Sequence, residues 1–297
     1  MFTHPNPNVN VPLATPLPAD PVAVDIKPPK MPAILLMGEQ GSGKTYAIRS
    51  LLDAGIEKVV VLALEPGIAD NLGDISPKKL AWQHIDTFDT PLEKKAESAR
   101  KIASMSFKEN AATPSVDRHN YIHYQKILEA MTNIVCDRTG EKLGHIKDFP
   151  ANWAFVIDSL SGLNHASLTF TVGAKNNLQM NDYMQAQQQV LSATNSVISS
   201  RNCLFVMTAH ITRQLDENTQ QQTLTVDTPG RAIAGVIGRY FSDVILAYKS
   251  ENRYLWSTQR ENTICKSRNL SGEAAASPTF FKLLNNFRNK QAQGKAD

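Results

Sequence analysis

The chain has 297 residues, 42% of them hydrophobic and 20% charged, and its formal net charge is +3. This composition is typical of a soluble globular protein with a sizeable core, and the mild charge neither demands nor excludes a nucleic-acid partner. No apolar run approaches the roughly 20 residues that a transmembrane helix needs, which argues against a membrane protein. The three cysteines lack metal-type or CxxC spacing and no secretion signal is recognisable, so we expect a cytoplasmic protein.

The two ends of the chain differ in composition from its middle. Residues 1–30 hold eight of the sixteen prolines, which predicts a disordered, extended arm. Such an arm could act as a tether or as the docking segment for a protein partner. Residues 284–297 are polar and predict a frayed tail. The folded domain is therefore expected at 31–283.

Within that domain, short apolar runs alternate with helical patterns. Helical spacing follows Lys44, recurs near 120–135 and again at 180–200. Two late segments, RYLWSTQ and NTICKSR, predict an antiparallel hairpin at the sheet edge. The alternation predicts one doubly wound, mostly parallel α/β sheet with flanking helices. The runs that predict buried parallel strands are 33–38, 59–65, 153–158, 203–209 and 243–248.

The first strand runs into the octet GEQGSGKT, which fits the pattern G-x-x-x-x-G-K-[ST] between a strand and a helix. Glycines let backbone N–H groups turn inward around phosphate oxygens. Lys44 would reach the β and γ phosphates, and the Thr45 hydroxyl would bind Mg²⁺. A glycine-rich turn without a ligand is the less favoured alternative. The predicted nucleotide-binding residues are Gly38, Glu39, Gln40, Gly41, Ser42, Gly43, Lys44, Thr45 and Tyr46.

Three polar residues at the ends of other apolar runs are candidates for the same site. Asp158 ends WAFVID and could hold Mg²⁺ opposite Thr45. Glu65 ends VVVLALE, where a carboxylate could deprotonate the attacking water. His210 follows CLFVMTA and could sense the γ phosphate. Each could instead be an ordinary polar residue at a strand end.

This order of motifs resembles the RecA-type ATPase core over roughly residues 31–283. It is similar in particular to phage-encoded RecA/RadA-like nucleotide-binding proteins associated with recombination and single-strand annealing. The resemblance implies ATP and Mg²⁺ as ligands, a homo-oligomeric ring or filament, and single-stranded DNA as a partner. It also implies that Glu65 is the catalytic base and His210 the sensor, and that the protein works in the cytoplasm of a bacterial host.

The resemblance further implies a role for Lys266 and Arg268. Their K-x-R spacing in ICKSRN matches the basic pair that RecA-like ring ATPases insert into the neighbouring subunit's site. Residues i and i+2 of a strand face the same side, so both could cross one interface and stabilise charge on the transferred phosphoryl group. A solvated basic strand end is the plain alternative. Arg231 and Arg239 compete for the same role.

Two stretches correspond to the loops that face DNA in RecA-like proteins. They are residues 161–181, after the Asp158 strand, and 211–230, after the His210 strand. Neither is rich in the Lys, Arg or aromatic residues typical of single-strand binding, and either could be a plain surface loop. Residues 86–150 form an insertion without an assigned role.

Other functions stay open at this point. An ATP-dependent DNA-binding or annealing module would bind ATP with negligible hydrolysis. A small-molecule P-loop kinase would need an Arg-rich lid, and the basic residues form no single cluster in the sequence. A GTPase is less favoured because the guanine-reading N-K-x-D motif is missing. The leading hypothesis is an ATPase that acts on single-stranded DNA in phage replication or recombination.

Overall fold

The computed structural model describes residues 30–86, 92–106, 108–109, 121–173, 178–215, 222–228, 231–270 and 272–293. The arm predicted at 1–30 lies outside the described residues, apart from Lys30. In the part of the chain that the structure describes, none of the helices combines the length and apolar character that crossing a bilayer requires.

The strands and helices follow the alternation that the sequence predicts. The strands are β1 (Ala33–Gly38), β2 (Lys58–Ala63), β3 (Leu80–His84), β4 (Ile134–Val135), β5 (Lys142–Gly144), β6 (Trp153–Asp158), β7 (Leu204–Ala209), β8 (Ile211–Leu215), β9 (Gln222–Val226), β10 (Asp243–Ser250), β11 (Arg253–Ser257) and β12 (Lys266–Ser267). The α-helices are α1 (Lys44–Ala47), α2 (Ser50–Asp53), α3 (Ile68–Leu72), α4 (Leu92–Ala103), α5 (His123–Thr132), α6 (Leu160–Val172), α7 (Met180–Ser200), α8 (Arg231–Ala234) and α9 (Phe280–Gln293).

The central sheet has the strand order β11-β10-β1-β7-β6-β2-β3. Strands β10, β1, β7, β6, β2 and β3 are mutually parallel, and every residue of β1, β2 and β7 is buried. The reason is that helices cover both faces of the sheet. Helices α5, α6 and α7 pack on one face, and α1, α2 and α9 pack on the other. The predicted α/β fold with a mostly parallel sheet is confirmed.

The antiparallel hairpin at the sheet edge is also present, but its strands differ from the prediction. Strand β11 pairs with the end of β10, and β12 pairs with the beginning of β10 rather than with β11. The turn between β10 and β11 explains this choice, because Glu251 and Asn252 both have positive φ, 47° and 63°. That is the backbone shape of a tight two-residue hairpin turn, so β10 folds back directly onto β11.

The sequence reading missed β3 and the structure that covers it. Leu80–His84 ends in a polar Gln and His, which disguised a parallel strand. The small β4–β5 hairpin from the 86–150 insertion lies beside this strand. Arg138 of its turn donates to the carbonyl oxygens of Gly73 (3.0 Å), Ile75 (2.6 Å) and Leu80 (3.2 Å). Part of the insertion therefore packs as structure against the sheet edge.

Two predicted loops are regular elements. Helix α6, Leu160–Val172, takes up the first part of the predicted loop 161–181. Its Gly, Ser and Thr content weakened the helical pattern, although Leu160, Leu163 and Ala166 are buried at helical spacing. The other stretch, 211–230, contains the antiparallel β8–β9 hairpin, while residues 216–221 and 229–230 lie outside the described residues.

The predicted boundary after residue 283 falls inside helix α9. The sequence around it is polar, but Phe280, Leu283 and Leu284 are buried against the face of the sheet that carries α1 and α2. Downstream, Nη1 of Arg288 donates to the carbonyl oxygen of Ala54 at 2.8 Å. Residues 284–293 are therefore helical rather than frayed, and only 294–297 of the predicted tail lie outside the described residues.

Candidate nucleotide-binding site

The carboxyl ends of β1, β2, β6 and β7 meet at one edge of the sheet, where ligands of α/β proteins bind. A cavity of about 1110 Å³ opens there. Its wall includes the glycine-rich loop after β1 together with Glu65, Asp158 and His210, which follow or end β2, β6 and β7. The structure therefore brings together the candidate residues that the sequence placed on separate strands.

The loop after β1 depends on glycine at specific positions. Gly41 and Gly43 have positive φ, 74° and 83°, which side-chain-bearing residues rarely adopt. At Gly38, a Cβ atom would lie 2.3 Å from the carbonyl oxygen of Ala247 on β10, so a larger residue would push the loop off the sheet. The loop backbone consequently curves tightly over the end of β1, as a phosphate-binding loop requires.

Lys44 lies at the mouth of this loop and is only 7% exposed. Its Nζ donates to the carbonyl oxygens of Gly38 (3.0 Å) and Glu39 (2.9 Å), and it forms no ion pair with a described carboxylate within 4.0 Å. Burial lowers the pKa of Lys44, although the charges of Asp158 and Glu65 oppose the shift. A buried cation with only neutral hydrogen-bond partners fits a site that receives a phosphate.

Thr45 and Asp158 form the candidate metal pair. Oγ1 of Thr45 donates to Oδ2 of Asp158 at 2.8 Å, and the hydroxyl of Thr208 donates to Oδ1. Burial raises the pKa of Asp158 despite these two hydrogen bonds; the nearby charge of Glu65 adds to the rise, and the charge of Lys44 only partly opposes it. A hydroxyl and a carboxylate in contact are the oxygen ligands that Mg²⁺ takes beside a nucleotide, so the pair fits that ion. Among the described residues no group of three or more His, Cys, Asp or Glu side chains forms a separate metal site.

Glu65 and His210 face the same cavity as a hydrogen-bonded pair. Nε2 of His210 lies 3.0 Å from Oε2 of Glu65, and the Ser159 hydroxyl donates to Oε1. Burial alone would raise the pKa of Glu65, but the hydrogen bonds from His210 and Ser159 outweigh it and lower the pKa. The carboxylate is therefore ionised near neutral pH and held in a defined orientation. A positioned, ionised carboxylate of this kind could accept a proton from water.

Aromatic and polar residues also line this cavity. Tyr46 is exposed and its ring lies 4.1 Å from the guanidinium of Arg49. Tyr254 of β11 packs against Gly43, where a Cβ atom would come within 3.1 Å of its ring. Pro278 and Thr279, just before α9, line it as well. The cavity thus offers aromatic and apolar surface besides the phosphate loop, as a nucleobase requires.

Sequence reasoning missed several residues of the site, among them Ser159, Thr208 and Tyr254. The first two could have been found, because Ser159 directly follows Asp158 in VIDS and Thr208 lies two residues before His210 in TAH. Tyr254 carried no such signal, since it reaches the loop only through the β10–β11 pairing.

Lys266 and Arg268 lie away from this cavity. Lys266 pairs with Val244 near the beginning of β10, whereas the loop follows Gly38, which pairs with Ala247. Both basic side chains are exposed and the intervening Ser267 is less so, but β12 ends at Ser267, so Arg268 lies beyond the strand to which the i and i+2 rule applies. They do not line the cavity of their own subunit. Of their competitors, Arg239 is exposed, and the side chain of Arg231 lies outside what the structure describes.

The Ser267–Asn269 backbone is fixed by Asp243, a carboxylate with 0% exposure. Oδ1 accepts hydrogen bonds from the backbone N–H of Arg268 and of Asn269, both at 3.0 Å, and from the Ser267 hydroxyl. Oδ2 accepts from the Asn269 amide at 2.9 Å and from the Ser242 hydroxyl at 2.7 Å. Five donors thus surround one buried carboxylate, which compensates its burial.

The fold and this geometry are those of an α/β P-loop protein. The sequence matches no family model and no curated protein. Among solved structures, the chain is similar to the crystal structure of the RadB recombinase, with 11% identity and a TM-score of 0.39, over 78% of this chain and 84% of that one. It is also similar to a prototypical ATPase from the type III secretion system of pathogenic bacteria, with 10% identity and a TM-score of 0.38. That match covers 74% of this chain and 53% of the other. At these values neither likeness assigns an activity.

Proposed function

We propose that the chain is a RecA-like, Mg²⁺-dependent ATPase that acts on single-stranded DNA as a homo-oligomer. The observation that carries the proposal is the Glu65–His210 pair, which faces the same cavity as Lys44 and the Thr45–Asp158 contact. A site that only bound nucleotide would need the loop and the metal pair. An ionised, oriented carboxylate beside them adds the group that hydrolysis requires.

In this proposal each residue has one task. The loop N–H groups and Lys44 hold the phosphates of ATP, and Thr45 and Asp158 hold Mg²⁺, which neutralises charge on the transferred phosphoryl group. Glu65 orients the attacking water and accepts its proton. His210 keeps the Glu65 carboxylate ionised by donating Nε2–H, and its place beyond β7 suits it to respond to the γ phosphate.

The positions of Lys266 and Arg268 favour an oligomer. The pairing register sets Lys266 beside Val244, three residues before Ala247, which corresponds to roughly 10 Å along the strand direction. Strand β10 also separates this segment from β1 and its loop. A cation supplied by one subunit to the next subunit's cavity would complete the site, so we propose hydrolysis at subunit interfaces.

The position of the β8–β9 hairpin favours a polymer ligand whose binding is coupled to the nucleotide site. It begins at Ile211, directly after His210, and its far strand returns so that the N–H of Asp227 donates to the His210 carbonyl oxygen at 2.9 Å. The amide of Asn164 on α6 donates to the Asp227 carbonyl oxygen at 2.9 Å. A ligand that moves this hairpin would therefore act on the backbone of the proposed sensor. From the motif resemblance we further propose a role in phage recombination or replication, in the host cytoplasm.

The first test is ATP hydrolysis by the purified protein with and without single-stranded DNA. Lys44→Ala should lower turnover by at least about 10²-fold, because it removes the cation that contacts the phosphates. The wild-type rate should rise when DNA is added. If Lys44→Ala hydrolysed ATP at the wild-type rate, the site assignment would be refuted. If the wild-type rate did not change when DNA is added, the ATPase proposal would stand and the DNA partner would be rejected.

A further inference from the structure

A second cavity lies on the other side of the glycine-rich loop. It measures about 420 Å³ and is enclosed by the loop residues Glu39–Ser42, by the β8–β9 hairpin and by the carboxyl end of β10. Gln40 and Gly41 line both this cavity and the nucleotide cavity. The loop is therefore a thin partition between two separate spaces.

Three cations from three distant segments line this second cavity. They are Arg213 of β8, Lys249 of β10 and Arg260, which follows β11. One carboxylate, Glu39, faces them, with Oε1 at 3.9 Å from Nη2 of Arg213 and both side chains exposed. Among the described residues, neither Lys249 nor Arg260 forms an ion pair, so the side-chain charge around the cavity is positive. We call this space the basic cavity.

Two tyrosines stand beside these cations. The guanidinium of Arg260 lies 4.8 Å from the centre of the Tyr248 ring, and Nζ of Lys249 lies 5.7 Å from that of Tyr254. Tyr248 lines the basic cavity, whereas Tyr254, which is 46% exposed, lines the nucleotide cavity on the other side of the loop. Positive charge beside an aromatic ring, here Arg260 beside Tyr248, is the combination that binds single-stranded nucleic acid without sequence preference, through phosphate contacts and base stacking.

The hydroxyl of Ser42 belongs to the loop wall rather than to the space inside the cavity. Ser42 lines the basic cavity and is only 5% exposed. Its Oγ has no hydrogen-bond partner among the described residues and is enclosed next to Gly38, where a Cβ atom would approach it to 2.6 Å. A ligand in the cavity would therefore be held by the three cations rather than by this hydroxyl.

We propose that the basic cavity binds phosphodiester groups of single-stranded nucleic acid. The inference rests on the proposed function and locates the binding site of the nucleic acid. Arg213, Lys249 and Arg260 contact its phosphodiester backbone, on the opposite side of the loop from ATP. Because Gln40 and Gly41 form the shared wall, the polymer and the nucleotide would contact the same short segment. Phosphate contacts would give affinity without sequence specificity.

The test uses the full-length protein and a fluorescent oligothymidylate of about 20 nucleotides, long enough to span a single-strand site. Binding is measured by anisotropy over a series of salt concentrations for wild type, Arg213→Ala, Lys249→Ala and Arg260→Ala. The matched control is Arg253→Ala, since Arg253 is an exposed β11 arginine that pairs with Glu251 at 3.5 Å and does not line the basic cavity. Binding of a fluorescent ATP analogue is measured in parallel.

Each cavity variant should bind the oligonucleotide more weakly, and the slope of log K against log salt should fall by ~0.7 for each lost phosphate contact. Arg253→Ala should keep the wild-type slope, and all four variants should keep ATP-analogue binding. A loss of fold would instead reduce both kinds of binding together, and a slope change with intact ATP-analogue binding supports the proposal.

Three results would overturn it. If all three cavity variants kept the wild-type oligonucleotide affinity and the wild-type slope of log K against log salt, the basic cavity would not be the binding site, and the ATPase proposal would be unaffected. If, in a competition experiment, inorganic phosphate displaced the labelled oligonucleotide as effectively as unlabelled oligonucleotide does at the same total phosphate concentration, that result would identify the cavity as a site for free phosphate. No binding of the oligonucleotide by wild type, with or without ATP, would remove the DNA partner and this inference together, while hydrolysis would still report on the nucleotide site.

Discussion

Two buried aspartates at opposite ends of the sheet differ in how their charge is compensated. Asp243, at the beginning of β10, accepts hydrogen bonds from five donors. Asp158, at the end of β6, accepts side-chain hydrogen bonds from two hydroxyl groups, and burial raises its pKa. The first carboxylate has five hydrogen-bond donors from the chain itself, whereas the second has two, and these together with the charge of Lys44 do not offset its burial.

The difference distinguishes a structural carboxylate from one prepared for a ligand. Donors that the protein supplies itself fix a backbone segment, as Asp243 does for Ser267–Asn269. A carboxylate left with a raised pKa favours the binding of a cation, because the ion replaces the missing compensation. Burial alone does not separate the two, since both residues are buried.

The largest expected effect comes from Asp158→Asn. Mg²⁺-dependent hydrolysis should fall by roughly 10³-fold, because the proposed Mg²⁺ site of Thr45 and Asp158 loses its carboxylate. The free energy of unfolding without metal should stay the same or rise, because the amide removes an incompletely compensated buried charge. Chemical denaturation and ATPase assays, each with and without Mg²⁺, measure the two effects. A large loss of stability in the absence of metal would place Asp158 with the structural carboxylates.

Asp243→Asn should show the opposite pattern. The amide presents N–H groups to a ring of donors, which should lower the free energy of unfolding by roughly 2–3 kcal/mol. Urea denaturation at neutral pH measures the loss, with Asp158→Asn as the matched carboxylate-to-amide control. Equal stability of Asp243→Asn and wild type would contradict the structural role.

Arg268→Ala tests the Asp243 end of the sheet by a change that leaves the Asp243 hydrogen bonds in place. It removes an exposed cation but leaves the backbone N–H that donates to Asp243, so the fold should be unaffected. Turnover should fall by roughly 10²-fold, the usual cost of one group that stabilises transition-state charge, while ATP binding is retained. In mixtures, Lys44→Ala subunits should restore activity to Arg268→Ala subunits. Unchanged turnover would direct attention to Arg231, Arg239 or Lys266.

The smallest effect concerns the pH dependence of turnover. His210→Ala removes a hydrogen bond that lowers the pKa of Glu65, so that pKa should rise. Because the base must be ionised, the acidic limb of the kcat–pH profile should move to higher pH, whereas His210→Gln, which keeps an N–H donor, should shift it less. The depressed pKa of Glu65 also stabilises the fold at pH values above 4.5, the usual pKa of a glutamate, and this gain is lost as the pH falls through the folded-state pKa. An acidic limb that does not move would exclude His210 as the partner of Glu65.

Much of the fold follows from local sequence. The run 33–38 and the run 153–158 are strands at the predicted residues, because parallel strands buried on both faces are apolar throughout. The loop glycines, Thr45 and Asp158 follow from motif spacing and from the rule that carboxyl ends of parallel strands meet. Helix α6 was missed because its buried apolar positions are separated by Gly, Ser and Thr, which are weak helix formers.

The rest depends on contacts that no local pattern contains. The basic cavity draws Arg213, Lys249 and Arg260 from segments that are far apart in the sequence, so no cluster is visible there. The same holds for the five donors around Asp243. One comes from the adjacent Ser242, whereas the other four come from the segment that begins at Ser267, 24 residues further along the chain. Sequence reasoning finds groups that a motif or a strand end brings together, and it misses groups that only the strand order assembles.

The turn of the β4–β5 hairpin has one further consequence for assembly. Besides the Arg138 contacts, the N–H of Asp137 donates to the carbonyl oxygen of Trp82 at 2.9 Å, and the Asp137 carboxylate accepts from the N–H of His84 at 2.6 Å. These are polar groups of the outermost parallel strand, and an unpaired outer strand is a template for a strand from another molecule. With those positions occupied, β3 no longer offers these groups to a further strand. The subunit contact proposed for Lys266 and Arg268 lies away from this edge and uses side chains, so it does not depend on a backbone ladder past β3.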